Sequence, residues 1–460
     1  MTVSNVRERA RPMRALIATL VLGAFAPILD TTMLTIAVHT LVVDLHTDVA
    51  TIQWVSTAYL LALVVTIPLC GWLDARLGGR RLWLAALIVF AAGSALCALS
   101  WSPASLIAFR TVQGAAAGVL MTNMQTIAVR AAGAGSIARV TAALGVPIAL
   151  GPLIGPVLGG ALLHWADWRW MFAINVPLCA LAAAAAIRVL PDDAPARGSA
   201  APPLDRTGLA LLVPGIVLAF YGLAELAEDG GPVLVLLVAA GAALIAAFGV
   251  RALRIGDRAL VRVRLLRIPT VAASTLAGLV AGGALMGTMF LLPLYWQTVR
   301  GDGALATALL LAPQAVGAFA PRFFVGGLVD RFGPRLVAGT AFALMAVATV
   351  PFAFVTAGTN AVVLALVLFV RGLGLGAVLV PIVSSAYTGL SRDQLPHASM
   401  FTRGAQQLGG AICVAVVALV LQAGLAHAPA EIALHPAFGV MAAVTALGAL
   451  SALRLPGRTG

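Results

Sequence analysis

The sequence predicts an all-α membrane protein built from two related halves. The chain is 61% hydrophobic and only 10% charged, with a mean hydropathy of +1.02. A soluble chain of 460 residues could not bury that much apolar surface, so lipid must surround most of it. The apolar segments are continuous, about 20 residues long and free of strand-like alternation, which favours spanning helices over barrel strands.

Fourteen apolar runs are each long enough for a helix to cross a hydrocarbon core about 30 Å thick. The first run follows a cluster of arginines, as in a secretory signal, but it is too long for a signal core, so we expect a retained first span. The predicted spans are residues 15–41, 54–73, 82–100, 104–129, 138–163, 169–190, 207–226, 232–251, 269–292, 304–325, 336–356, 361–383, 404–425 and 435–454.

The basic residues predict the orientation of the chain. All 29 of them are arginines, and the net charge is +12. If both termini are cytoplasmic, every arginine lies on the cytoplasmic side except Arg110 and Arg371, inside predicted spans, and Arg169 and Arg300, on the opposite side. This asymmetry favours an even number of spans with both ends inside. Because the arginines lie in short gaps between apolar runs, no nucleic-acid partner is expected.

A ten-residue segment occurs twice, at residues 71–80 and 326–335, in the gaps after the second and tenth spans. The glycines and arginines of the two copies align in register: Gly71, Arg76, Gly78 and Arg80 with Gly326, Arg331, Gly333 and Arg335. The acidic residues differ by one position, because Asp330 aligns with Ala75 and not with Asp74. Such a repeat is typical of a duplicated membrane bundle.

The repeat predicts six helices plus six helices, with two further helices inserted between them. We expect an N-terminal six-helix bundle at 1–190 and a C-terminal six-helix bundle at 269–460. Residues 191–268 would hold a Pro-rich cytoplasmic linker, helices 7 and 8, and a basic surface loop. Six arginines in 251–268 alternate with Leu and Val, which fits either a segment lying on anionic lipid headgroups or an ordinary basic loop.

Three charged residues stand well inside predicted spans, where a charge is costly and usually functional. Asp30 is the only carboxylate well inside a span, and Arg110 lies at a similar depth on helix 4. Arg371, on helix 12, is nearer the middle of the membrane. Each residue also has a simpler interpretation: Asp30 as a structural hydrogen-bond partner, and the arginines as side chains that extend to the interface.

Helix 5 has a regular pattern of small residues and prolines. Glycines let helices approach closely, and prolines free backbone carbonyls and bend the axis. The pattern indicates a packing or bending element, either a bent packing helix alone or part of a moving interface between halves. Its residues are Gly145, Gly151, Pro152, Gly155, Pro156, Gly159 and Gly160.

The repeated loop resembles the Gly-x-x-x-Asp-Arg-x-Gly-x-Arg signature of the major facilitator superfamily. The second copy matches at Gly326, Asp330, Arg331, Gly333 and Arg335. The first copy matches except that Asp74 precedes the family's aspartate position by one residue, which rotates a helical side chain by about 100°. In the family this aspartate helps to latch the cytoplasmic ends of the two halves together.

Other segments resemble the fourteen-helix drug:proton antiporter branch of that superfamily. Residues 110–114 are similar to its Arg-x-x-Gln-Gly motif, and residues 29–32 are similar to its helix 1 signature, Leu-Asp-x-Thr. The glycines and prolines of 145–160 resemble the motif that distinguishes antiporters from symporters. The stretches 53–59 and 168–177 are also typical of the branch.

The resemblance implies a proton-coupled antiporter that exports small lipophilic compounds, such as drugs or antibiotics, across the cytoplasmic membrane by alternating access. Asp30 would carry the proton, and Arg110 would tune its proton affinity. Helix position suggests Gln113, Asn123, Gln125, Gln297, Gln314 and Arg371 as candidates to line the substrate cavity. Export of an endogenous metabolite on the same fold is an alternative, and a non-transporting receptor or scaffold is a remote one.

No cofactor or metal is expected, so the proton gradient would be the energy source. A nucleotide-binding loop of the Gly-x-x-x-x-Gly-Lys type requires a lysine, and the chain has none. The four cysteines fall singly in apolar segments and suggest neither a metal site nor disulfides. The expected partners are a small-molecule substrate, protons and membrane lipid, with no obligate protein partner and no enzymatic activity.

Overall fold

A computed structural model describes residues 3–47, 49–132, 137–192, 204–226, 231–256, 259–302, 304–391 and 394–457. These residues form helices and connecting turns, with no strand among them. In the first part of the chain the helices are α1 (Val3–Asp44), α2 (Val49–Thr66), α3 (Cys70–Leu77), α4 (Gly79–Ala98), α5 (Pro103–Ala132), α6 (Ile137–Leu144), α7 (Val146–Trp165), α8 (Arg169–Ala173) and α9 (Asn175–Val189). The later helices are α10 (Arg206–Leu226), α11 (Pro232–Ile255), α12 (Pro269–Leu294), α13 (Ala304–Phe319), α14 (Val325–Phe332), α15 (Pro334–Thr349), α16 (Ala361–Ala386), α17 (Leu395–Leu425) and α18 (Ala430–Ala452).

The helices have the length and composition of membrane spans. Twelve of them, within the described ranges, are long and apolar enough to cross a membrane. A helix pair bent by 54°, Leu309–Phe323 with Val325–Phe332, raises the number to as many as thirteen. The predicted span at 138–163 falls on α6 and α7, which meet at Gly145. The all-helical membrane fold is confirmed, whereas the count of fourteen and the cytoplasmic termini stay predictions.

The chain divides into two compact units. The N-terminal unit consists of Met1–Arg206 with two later segments, Asp257–Val261 and Leu390–Met400. The C-terminal unit consists of Thr207–Gly256, Arg262–Gly389 and Phe401–Gly460. The division predicted from the sequence, at residues 190 and 268, stays a prediction.

Large aromatic side chains fill the N-terminal unit, and small residues bring its helices together. Trp83 and Phe90 of α4 are fully buried in one apolar cluster, while Trp168 and Phe172 lie in a second. Helices α2 and α5 pack backbone to backbone, because a Cβ atom at Gly114 would stand 2.8 Å from the Cα atom of Tyr59. This close approach sets the position of the polar residues on α5.

The C-terminal unit is built in the same way. Its largest apolar cluster contains Trp296, Phe352 and Phe438, and the two phenylalanine rings lie 5.4 Å apart between centroids. Helices α13 and α16 approach closely, since a Cβ atom at Gly372 would stand 2.9 Å from the backbone nitrogen of Ala318. Glycines on α16 therefore have the packing role that Gly114 has on α5.

The repeated loop of the sequence is also a structural repeat. Gly78 directly follows helix α3, with φ 80° and ψ 154°, and Gly333 directly follows α14, with φ 84° and ψ 157°. In both copies the glycine N–H donates to the carbonyl four residues earlier, on Asp74 at 2.8 Å and on Val329 at 2.9 Å. Only glycine adopts this backbone conformation without strain, which explains why both copies carry it.

Candidate functional site

The carboxylate of Asp30 lies inside the N-terminal unit and contacts side chains from two other helices. Asp30 is 2% exposed, and Arg110 of α5 is 1% exposed. The Arg110 Nη1 atom donates to Asp30 Oδ2 in a direct ion pair. Asp30 Oδ1 accepts two further hydrogen bonds, each 3.0 Å long, from Gln113 Nε2 and from Asn175 Nδ2. The sequence predicted that Asp30 and Arg110 lie at a similar depth in the membrane, and in the structure the two side chains form an ion pair.

Arg110 is itself held in a fixed orientation. Its Nε donates to the Val55 carbonyl at 3.2 Å, and its Nη1 also donates to Gln113 Oε1 at 2.7 Å. The guanidinium carbon lies 4.0 Å from the centroid of the Tyr59 ring, within range of a cation–π interaction. Gln113 Nε2 donates to Ser94 Oγ at 2.7 Å, so the cluster extends to α4.

This cluster contains one negative and one positive charge that compensate each other. Moving either ion out of water costs several kcal/mol, and the pair offsets that cost only because hydrogen bonds satisfy the remaining atoms. Removal of one charge would leave the other uncompensated in a medium of low dielectric. The arrangement of the Asp30–Arg110 pair therefore depends on both charges being present.

Three members of this cluster were not among the candidates that the sequence indicated. Asn175 and Tyr59 lie within stretches that resemble the antiporter branch, but neither was assigned a role, and Ser94 was not singled out. Each is a polar residue inside an apolar helix, which was the available signal. The helix faces that they occupy could not be determined from nearly uniform apolar neighbours.

The glycine-rich helix α7 packs directly on α1 beside Asp30. A Cβ atom at Gly151 or at Gly155 would overlap the side chain of Ile28 or Thr32, respectively. Gly159 faces Met33, whose carbonyl oxygen would lie 3.2 Å from such an atom. The register of these glycines thus matches the residues that flank Asp30 on α1.

The remaining residues of this motif differ from that pattern. No heavy atom of the described chain lies within 4 Å of the position that a Cβ atom of Gly160 would occupy. Gly145 stands at the junction of α6 and α7, and its N–H donates to the Thr141 carbonyl at 3.2 Å. The side chains of Pro152 and Pro156 lie outside the described residues.

The two copies of the loop motif place their aspartates in different surroundings. Asp74 is buried and forms a bidentate ion pair with Arg130 of α5, one of whose contacts is 3.0 Å. Asp330, one register position later, is exposed. The one-residue shift recognised in the sequence therefore moves the carboxylate from the surface into the unit.

The arginines of the motif face outward or reach backbone carbonyls. Arg76 and Arg331 are exposed. Arg80 Nη2 donates to the Ile187 carbonyl at 2.6 Å, and Arg335 Nε donates to the Leu455 carbonyl at 2.9 Å. Gly71 and Gly326 are buried.

The candidates for the substrate cavity do not form one group. Gln113 belongs to the Asp30 cluster, while Asn123 Nδ2 donates to the Gly79 carbonyl at 2.8 Å. Gln125 Oε1 accepts from Ser399 Oγ at 3.4 Å. Gln297 is exposed, in the π-helical segment Tyr295–Val299.

Gln314 and Arg371 contact each other. Arg371 is 0% exposed, and its Nη1 donates to Gln314 Oε1 at 3.0 Å. Its Nε donates to Thr349 Oγ1 at 3.1 Å, and its Nη2 donates to the Ala284 carbonyl at 3.0 Å and to Thr288 Oγ1. All four acceptors are neutral oxygens.

Metal-binding geometry was not found in the part of the chain that the structure describes, where no group of three His, Cys, Asp or Glu side chains comes together. The four cysteines, Cys70, Cys97, Cys179 and Cys413, are buried and free. The absence of a cofactor stays an expectation.

A buried ion pair and a buried arginine within spanning helices are features of a membrane transporter. The sequence profile of the Major Facilitator Superfamily matches residues 20–414. The chain belongs to this superfamily, whose members are transporters and not enzymes, bind small-molecule substrates and typically work as single chains. The family suggested by the loop motif is therefore confirmed.

Similar proteins agree with this assignment. A Multidrug resistance protein B homolog of Mycobacterium tuberculosis is 33% identical over 406 residues, covering 87% of this chain and 75% of the relative. The MFS-type transporter YcnB of Bacillus subtilis is 27% identical over 455 residues, 98% of this chain and 95% of the relative. The structure of the proton:xylose symporter XylE superposes with a TM-score of 0.67 at 15% identity, covering 98% and 97% of the two chains, which shows the fold alone.

Proposed function

We propose that this transporter exports small lipophilic organic compounds from the cytoplasm in exchange for protons. The observation that carries the proposal is the buried Asp30–Arg110 pair with its amide ligands Gln113 and Asn175. Protonation of Asp30 would remove the negative partner of Arg110 and weaken their attraction, so proton binding would change the packing of α1 against α5. The resistance-related name of the mycobacterial relative supports the direction and the substrate class.

The proposal includes the arrangement that such coupling needs. Fourteen spans with both termini in the cytoplasm would place Asp30 in the outer half of the cytoplasmic membrane. Alternating access would then expose it to each side in turn, with the proton gradient as the energy source and no cofactor. One charge moving through a membrane potential of 100 mV releases about 2.3 kcal/mol, enough for substantial accumulation against a gradient.

Asp30→Asn tests this proposal in proteoliposomes that contain the purified full chain. Export of fluorescent lipophilic compounds (neutral, singly cationic and singly anionic) would be followed with and without an imposed pH gradient. The asparagine keeps the shape of the side chain but cannot carry a proton, so acceleration by the gradient should be lost while binding persists. Asp167→Asn is the matched control, because Asp167 is exposed and its partner among the described residues is the neighbouring Arg169. The two charged groups lie 3.4 Å apart, and the Arg169 backbone N–H donates to Asp167 Oδ1 at 2.8 Å. Undiminished gradient-driven export by Asp30→Asn would rule out Asp30 as the proton carrier.

A further inference from the structure

Arg371 is a buried cation surrounded by neutral hydrogen-bond acceptors. It is not exposed, and its four hydrogen bonds go to two hydroxyl groups, one amide oxygen and one backbone carbonyl. Within the described chain, no carboxylate is among these partners. A buried guanidinium without a counter-ion is costly, and in a membrane protein such a charge marks a binding or transport role.

The guanidinium also retains one donor. Arginine carries five N–H groups, and four of those of Arg371 are engaged. The fifth is on Nη1, the nitrogen that already donates to Gln314, and it meets no acceptor within the ranges that the structure describes. The unused donor therefore points to the side of the guanidinium where Gln314 lies.

Gln314 is the least buried part of this arrangement. Its side chain is half-buried, and its amide oxygen is the acceptor for Arg371. The amide NH₂ group of Gln314 has no partner within the described residues, so it adds two donors beside the Arg371 Nη1 atom. Pro313 precedes it inside α13 and removes one backbone hydrogen bond, which makes local adjustment of this helix inexpensive.

A second positive charge lies further along the same segment, about two helical turns after Gln314. The Nε atom of Arg322 is buried and has no hydrogen-bond partner among the described residues. The charge of Arg322 adds to that of Arg371 in the same unit, and two positive charges favour an anion over a cation.

We propose that Arg371 and Gln314 bind a carboxylate, or a similar oxyanion group, of the exported compound. This proposal rests on the proposed export function and narrows its substrate class to lipophilic organic anions. The oxyanion would accept hydrogen bonds from the Arg371 Nη1 atom and from the Gln314 amide. The ligand would thus provide Arg371 with a negative partner, as Asp30 does for Arg110 in the N-terminal unit.

Binding of 2-naphthoate and 2-naphthamide to the purified full-length protein in detergent tests the site. The two probes share a ring system and differ in charge, and equilibrium dialysis measures both affinities. A charge-assisted contact should favour the naphthoate by about ten-fold or more. Equal affinities in the wild-type protein would overturn the proposal.

Gln314→Glu is the decisive variant because it is nearly isosteric and places a carboxylate beside Arg371. That carboxylate should take the place of the ligand and abolish the preference for naphthoate. Arg371→Gln should abolish it as well, but this variant removes several internal contacts. Arg300→Gln is the matched control, since Arg300 already lies 3.4 Å from the carboxylate of Asp302 and should not affect the preference. A preference retained in Gln314→Glu would contradict the proposal even if Arg371→Gln does not fold.

Two further results separate this site from its alternatives. If chloride alone stabilises the wild-type protein but not Gln314→Glu, while the two naphthyl probes bind equally, the site takes an inorganic ion and the organic substrate is ruled out. If naphthoate is preferred but no compound is exported under a pH gradient, the anion site stands and the proposed export function fails. If neutral compounds are exported under a pH gradient but naphthoate is not preferred, the export function stands and the anion site is ruled out.

Discussion

A fully buried arginine lies in each compact unit, but its surroundings differ between the two. In the N-terminal unit Arg110 is paired with the carboxylate of Asp30. In the C-terminal unit Arg371 is held by neutral oxygens, and the hydroxyl of Thr288 receives a hydrogen bond from the guanidinium as Asp30 does in the other unit. The two sites therefore differ in net charge although both belong to helices with a similar glycine-mediated packing.

If both proposals hold, a duplicated fold separates two tasks between its halves. A compensated pair changes its net charge when the carboxylate binds a proton, which suits it to coupling. An uncompensated guanidinium keeps its positive charge at all physiological pH values, which suits it to holding an anion. Packed helices bury the arginine in both units, and the presence or absence of one carboxylate would then decide which task the site performs.

Replacement of each arginine by glutamine should have the largest effect and should separate the two sites. Arg110→Gln leaves the carboxylate of Asp30 buried without a cation and should cost about 3–5 kcal/mol of stability. Arg371→Gln leaves only neutral acceptors without donors and should cost about 1–3 kcal/mol. Thermal unfolding of the purified variants in detergent measures both.

The double variant Asp30→Asn with Arg110→Gln serves as the control, because it removes both charges together. It should recover part of the stability that Arg110→Gln loses, as expected if the orphaned carboxylate is the main cost. Equal losses of stability for Arg110→Gln and Arg371→Gln would show that the presence of a carboxylate partner does not determine how much each arginine contributes to stability.

Replacement of the loop glycine by alanine should lower stability by a similar amount in the two units, whereas replacement of the arginines should not. Gly78 and Gly333 have nearly the same backbone angles, in a region that residues with a Cβ atom avoid. Gly78→Ala and Gly333→Ala should each cost about 1–3 kcal/mol of stability, measured in the same unfolding assay. Gly160→Ala is a suitable control, because no heavy atom of the described residues was found within 4 Å of the added methyl group. A loss confined to one loop would show that the repeated conformation is not equally important in both.

Much of this architecture was predictable from the sequence because it depends on the spacing of residues along the chain. Apolar run length predicted the helices. The aligned glycines predicted a repeat, and the structure shows nearly the same backbone angles at Gly78 and Gly333. The similar depths of Asp30 and Arg110 were also readable, since depth follows from residue count along a helix.

Rotation of a helix about its axis was not predictable in the same way. A helix that is apolar on every side gives no signal of which residues face the interior. Asn175 and Ser94 could therefore not be assigned to the Asp30 cluster, although both stand in apolar helices. The neutral surroundings of Arg371 also depend on residues from three other helices, whose mutual positions no local pattern specifies.

Replacement of the two loop aspartates by asparagine should give the smallest difference in stability between the units. Asp74 is buried and paired with Arg130, whereas Asp330 is exposed at the neighbouring register position. Asp74→Asn keeps the shape but removes the charge, so it should lower stability by about 1 kcal/mol. Asp330→Asn should leave the unfolding temperature unchanged, because exposed charges contribute little to stability.

Transport adds a second comparison between these variants. The carboxylate that stabilises its own unit is Asp74, while Asp330 occupies the aspartate position of the family's loop motif. Asp330→Asn should therefore slow export more than it affects unfolding, and Asp74→Asn should do the reverse. Export rates in proteoliposomes, compared with unfolding temperatures of the same preparations, measure this. If Asp74→Asn slows export without loss of stability, the buried aspartate has kept the motif's transport role despite its shift by one residue.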